Sequence, residues 1–331
     1  MSKDQKLVKV KRDTKSLVMK NLIVMAVLIA IALTGVISWF TNRTEATADG
    51  INVICEAPKG LKIAVVQHGD PAPSDDEYTD EDITLTKEDY PFLKEQSIIE
   101  ITSDGTDFYK PKLTQENGKA KPDTSSEWDV ADKDSYLSID VYMKTGDEHM
   151  VYLNSGTEIS PNSTTLTGEN SGNKSDDGNF SKDCIVGAVR LSTVSTVSTV
   201  DSTDSTIKNL WIPAPQIHYD SDKKEVTLNN TPDTPGDTFK HMYWKVAKNP
   251  DGKIGMPQGT TPVEYEGVIT NTNNNFKLGK NYNFAKLTKK TDSDKYATGM
   301  TTVNIWVDGE DDEARFAMVG GKFKATIKLS L

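Results

Sequence analysis

Cysteine is nearly absent: the 331 residues include two, Cys55 and Cys184. Two thiols so far apart in sequence supply neither a Cys-x-x-Cys redox pair nor a four-ligand zinc set. Histidine is as scarce, with His68, His149, His218 and His241 scattered singly. No His-Glu-x-x-His, Gly-x-Ser-x-Gly or Gly-rich phosphate loop occurs, so the familiar zinc-protease, serine-hydrolase and nucleotide-binding signatures are missing. Positive charge is short as well, 38 Lys and Arg against 49 Asp and Glu. Residues 1–48 hold 8 of the basic and 3 of the acidic groups, leaving 30 against 46, a net charge of −16, on residues 49–331. A body of that sign repels phosphate backbones, which excludes nucleic acid as a partner. With 36% hydrophobic residues the apolar content is too low for a polytopic membrane protein.

What the chain does have begins at its N-terminus. Lys3, Lys6, Lys9, Lys11, Arg12, Lys15 and Lys20 precede a stretch without ionisable side chains, Asn21 to Asn42, whose apolar heart is Leu22–Leu33. A basic flank before such a run orients it with the N-terminus in the cytoplasm, and its length is close to the roughly 20 residues that cross hydrocarbon as a helix. Small residues three apart in Ala46-Thr47-Ala48 fit signal-peptidase processing after Ala48, which would free a chain starting Asp49-Gly50-Ile51. The length of the apolar run favours the alternative, an uncleaved membrane anchor. Either way, residues 49–331 are expected outside the cytoplasmic membrane, extracellular or at the cell surface. Outside the cell Cys55 and Cys184 can pair, a closure worth about 2–4 kcal/mol. The alternative is two buried thiols that never meet.

After residue 48 the pattern is short strands with period-two alternation, separated by polar loops. Ile51–Cys55 and Leu61–Val66 flank Pro58-Lys59-Gly60 and read as a hairpin. Tyr136–Met143 alternates cleanly and predicts a core strand, with His149–Leu153 as its neighbour. Cys184–Leu191 predicts a buried strand, and Phe323–Leu329 the last one. Asp308–Val319, with acids in its first turn and Gly320-Gly321 behind it, predicts a short helix. Insertions are expected at about 68–97, 103–134 (polar decoration), 155–182 and 192–206. The last starts with Ser-Thr-Val repeated three times from Ser192, a three-residue period that fits neither helix nor strand and predicts a low-complexity loop. The expected architecture is all-β, a jelly-roll-like antiparallel sandwich with one or two short helices, spanning 49–331 behind the hydrophobic segment.

No constellation carries chemistry with any specificity, and no catalytic, cofactor or metal residue is assigned. Acidic runs at Asp70–Asp82, Asp176-Asp177-Gly178-Asn179 and Asp308–Asp312 present the hard oxygens Ca²⁺ prefers, but none has calcium-loop spacing, and charge runs usually form solvated faces. Calcium is the one cofactor left open.

Several short segments together carry a resemblance: Trp39-Phe40-Thr41-Asn42, Ala46–Val53, Ala57–Ile63, Tyr136–Tyr142, Gly187–Leu191, Trp211–Pro215, Ile305–Gly309 and Gly320–Phe323. In these the chain resembles the exported Firmicutes proteins with SipW-dependent-type signal peptides, the TasA/camelysin-like biofilm-matrix family. The resemblance implies a secreted jelly-roll subunit, often assembled into extracellular filaments, and carries over no catalytic residue. The expected function is thus a non-catalytic cell-surface or matrix protein whose partners are copies of itself or other surface proteins. The membrane enters only through the N-terminal segment. One assembly mechanism is β-strand donation, with Gly50–Cys55 as donor, Ile51, Val53 and Cys55 on one face. Its alternative is that this segment pairs within its own domain. Two further functions stay open: an adhesin or carbohydrate-binding module using Tyr109, Trp128, Tyr219 or Trp244, and a metal-dependent camelysin-like hydrolase.

Overall fold

In a computed structural model the chain divides into two compact units, Met1–Thr44 and Glu45–Leu331. The structure describes residues 52–85, 101–110, 135–175, 178–197, 205–220, 223–228, 276–308 and 320–331, with short pieces at 46–47, 97–98, 113–116, 119–122, 129–132, 242–243, 246–248, 254–257, 263–264, 269–270 and 318. The expected membrane-crossing or signal segment, the processing site at Ala48 and Ile51 lie outside the described residues. Among the described residues no helix is long and apolar enough to cross a membrane.

Twelve strands build two six-stranded sheets. They are β1 (Asn52–Glu56), β2 (Lys62–Gln67), β3 (Ile83–Leu85), β4 (Leu137–Thr145), β5 (His149–Leu153), β6 (Glu158–Pro161), β7 (Val189–Val197), β8 (Ser205–Ile212), β9 (Ile269–Thr270), β10 (Tyr282–Leu287), β11 (Ala297–Val307) and β12 (Phe323–Ser330). The first sheet has the order β9-β8-β7-β11-β4-β2; the second runs β10-β5-β12-β1-β3, with β6 also paired to β12. Every pairing is antiparallel except β8 with β9 and β1 with β12. The all-β expectation therefore holds.

Alternation explains the layering. In β4, Leu137, Ile139, Val141 and Met143 are buried on one face. They join Ile63 and Val65 of β2, Val189 and Leu191 of β7, and Val303 and Ile305 of β11 in one apolar cluster. The same cluster takes Val53 and Cys55 of β1, Val151 and Leu153 of β5, and Phe323, Ala325, Ile327 and Leu329 of β12 from the other sheet. Residues with period-two burial on both sheets thus face each other across a shared core. Two polar bonds also cross between the layers: Thr301 Oγ1 donates to Phe284 O, and Asn209 Nδ2 donates to Asn283 O.

Four expectations about local structure are corrected. The segments either side of Pro58–Gly60 form no hairpin, because β1 and β2 belong to different sheets. Leu61 N donates to Pro58 O, so the turn exists, but it carries the chain from one layer to the other. His149–Leu153 is not the neighbour of β4; it pairs with β10 and β12. The Ser-Thr-Val repeat is no loop over Ser192–Val197, which forms β7 between β8 and β11. There Ser192 Oγ donates to Gly105 O, Ser195 Oγ to Met300 O, and Thr193 Oγ1 accepts from Asn209 Nδ2, so the buried hydroxyls are satisfied. Cys184–Ala188 is also not strand. It lies in a 3-10 helix, Lys182–Ala188, whose start is capped by Ser181. The helix expected over Asp308–Val319 falls largely outside the described residues.

The segment expected as polar decoration around Ser103–Asp134 packs on the outer face of the first sheet. Thr102–Ser103, Phe108–Lys110 and Asp129–Val130 form a small sheet. Beneath it Ile101, Phe108, Ala131, Leu210 and Trp306 make a second apolar cluster. Phe108 stacks on Tyr136 at 4.0 Å between centroids and meets Trp306 edge-on at 5.2 Å.

Candidate functional site

The candidate donor strand β1 sits inside the second sheet. It runs parallel to β12, with Val53 opposite Ala325 and Cys55 opposite Ile327, and antiparallel to β3, with Val53 opposite Leu85. Val53 and Cys55 are fully buried. Ile54, on the other face, is half-buried and lies level with Thr326 and Thr84. The first strand of the two sheets is therefore inserted beside the last strand of the chain, and its main chain is bonded on both sides. Five residues of β structure hold it, with two side chains as core anchors.

Charged groups close the C-terminal end of β1. Glu56 Oε2 lies 2.6 Å from Lys328 Nζ on β12. The next amide, Ala57 N, donates to Asp82 Oδ1 at 3.2 Å, just ahead of β3. Bonding and attraction from Glu56, with a weaker contribution from Asp82, hold the Lys328 ammonium above its ordinary pKa.

Cys55 and Cys184 are both buried. Burial pushes the Cys55 thiol up to about 12. Cys184 Sγ lies 3.7 Å from Leu166 O.

Other residues singled out by type are dispersed. His68, half exposed, bonds through Nδ1 to Asp140 Oδ1 at 2.9 Å. Thr302 Oγ1 donates to the same oxygen at 2.7 Å. His149 is exposed on β5, His218 is buried, and His241 lies outside the described residues. Tyr109 is buried, and Tyr219 is half-buried and meets Phe180 edge-on at 5.6 Å; Trp128 and Trp244 are outside the described residues. The Asp70–Asp82 run is a surface strap. Its Asp75 carboxylate and carbonyl both accept from Lys144 Nζ, at 2.8 and 3.1 Å, while that ammonium lies 3.9 Å from the Tyr78 ring centroid. Among the described residues no three His, Cys, Asp or Glu side chains are grouped to hold a metal ion.

Two features escaped sequence reasoning. Asp140 is visible as an acid on the polar face of a clean strand, but its partner His68 lies in a loop 72 residues away. Asp183, 1% exposed, accepts from Ser163 N and Oγ at 2.7 and 2.5 Å and from Lys322 N at 2.7 Å. It ties the 3-10 helix to the entrance of β12, and its only sequence signal is an acid at the head of the apolar run Cys184–Val189. Comparison with protein-family models, with curated proteins and with solved structures finds no match.

Proposed function

We propose that this chain is an exported, non-catalytic structural protein of the cell surface or biofilm matrix, a subunit of the TasA/camelysin-like type that assembles by exchanging β1. The leader carries residues 49–331 across the membrane and is then removed after Ala48 or kept as an anchor. On this reading the sandwich is jelly-roll-like, and it acts by shape and contact.

The observation that supports the reading is the position of β1. It is short, it precedes every other strand of the two sheets, and it fills a slot between β12 and β3. A strand so placed can leave without unthreading the rest of the fold. The slot it vacates offers two unpaired edges, an equivalent site for the same strand of a neighbour. Val53 and Cys55 supply register, because a one-residue slip would turn both out of the core. Exchange replaces each bond with its copy, so its cost is kinetic and not one of lost contacts.

Deleting residues 49–55 from the exported protein and imaging surface material by negative stain tests this. The proposal expects filaments to disappear while the protein still reaches the surface. Unchanged polymerisation overturns it.

A further inference from the structure

We infer that Lys328, held in place by the turn at Gly156, is the latch that governs release of β1. Lys328 stands at a crossing of four segments. Its carbonyl accepts from Asn154 N at 2.7 Å and from Thr157 Oγ1 at 3.2 Å. Its amide donates back to Thr157 Oγ1 at 3.1 Å. The β5–β6 turn therefore fixes the backbone from one side. Its side chain passes the turn at Gly156 and reaches Glu56 on β1 at 2.6 Å, and Asp82 beside β3 adds to the field on the ammonium.

Gly156 is what gives the stem room. A Cβ there would come within 2.9 Å of Lys328 Cδ and 3.2 Å of Asn154 Oδ1. The stem is flexible, so an added methyl displaces it without breaking the strand beneath. The ammonium is then carried away from Glu56. A change in a turn of one segment is thus transmitted through one side chain to the end of a strand on the opposite edge of β12. Gly156 is a positioning residue in this account, and Glu56 and Lys328 are the latch itself.

As a control on strand exchange, the latch rests on the donation reading. The two are tested apart, because latch opening is read on the isolated chain and donation on fibres. Cys55 provides the probe. Its thiol is fully buried on β1 and is reached by a maleimide only when that strand lifts, while Cys184 in the 3-10 helix serves as an internal reference. Site-resolved labelling rates are measured by mass spectrometry on the full chain and on Gly156→Ala, Glu56→Gln and Lys328→Met. Each variant is expected to speed Cys55 labelling about threefold, as loss of a partly exposed ion pair allows, and to leave Cys184 unchanged. Gly156→Ala combined with Lys328→Met should be no faster than Lys328→Met alone. Unchanged Cys55 rates, or Cys55 and Cys184 rising together as in general loosening, would overturn the latch.

Discussion

Alkaline pH should weaken the fold in part through one buried thiol. Cys55 faces the core from β1, and burial raises its pKa from 9.0 to about 12. Below pH 9 the thiol is neutral in both folded and unfolded chains and contributes no pH dependence. Between 9 and 12 the unfolded chain loses the proton while the folded chain keeps it, so stability falls as pH rises. The slope is about 1.4 kcal/mol per pH unit. At pH 10.5 the loss from this group is about 2 kcal/mol by the same linkage. Tyr78, Tyr109, Tyr136, Tyr142 and Tyr282, whose pKa values burial also raises, act in the same sense. A difference measurement is therefore needed. Urea unfolding of the native chain and of Cys55→Ala, from pH 8 to 10.5, isolates the thiol. At pH 8 the native chain should be the more stable, since the substitution leaves a small void. The gap should close and then reverse as pH rises. A gap constant across the range would refute the placement of Cys55 in a closed core and, with it, the paired position of β1.

Three substitutions probe the surrounding packing. Phe108→Ala removes a ring stacked on Tyr136 and edge-on to Trp306, and should cost about 3–5 kcal/mol; a red-shifted Trp306 emission would mark exposure of the second cluster, and an unmoved spectrum would contradict it. Asp183→Ala leaves the Ser163 and Lys322 amides without their acceptor and should lower stability by about 3 kcal/mol in urea titration, whereas a loss under 1 kcal/mol would speak against that bonding. Gly321→Ala drives a Cβ into the Lys182 backbone carbonyl, which cannot swing aside as a side chain can, so it should cost about 3 kcal/mol; a wild-type melting temperature would show that the approach is not so close.

Local patterning made much of the fold legible. Leu137 to Met143 and Phe323 to Leu329 alternate strictly, and both are strands with the expected inward residues. What sequence could not convey was partnership. The turn chemistry of Pro58-Lys59-Gly60 marks a reversal, yet nothing local states that the strand before it joins the last strand of the chain. The Ser-Thr-Val repeat misled because its period is three, while a strand requires only that every second side chain be tolerable. Hydroxyls bonded across to Gly105 and Met300 meet that requirement. Of the candidate site, Val53 and Cys55 were identifiable as one face of an early strand, but the slot between β12 and β3 was not. Nor was the latch: Glu56, Gly156 and Lys328 are ordinary residues in sequence, and only the sheet order brings them together.

The most direct test of strand donation uses the latch as a ruler. Glu56 Oε2 and Lys328 Nζ, 2.6 Å apart, are close enough for a carbodiimide to join them without a spacer. Filaments grown from an equal mixture of ¹⁴N- and ¹⁵N-labelled subunits are cross-linked, digested and weighed. Donation predicts that about half of the Glu56–Lys328 peptides pair one isotope with the other, as exchange between identical subunits requires. Filaments in which every such peptide carries a single isotope would contradict it.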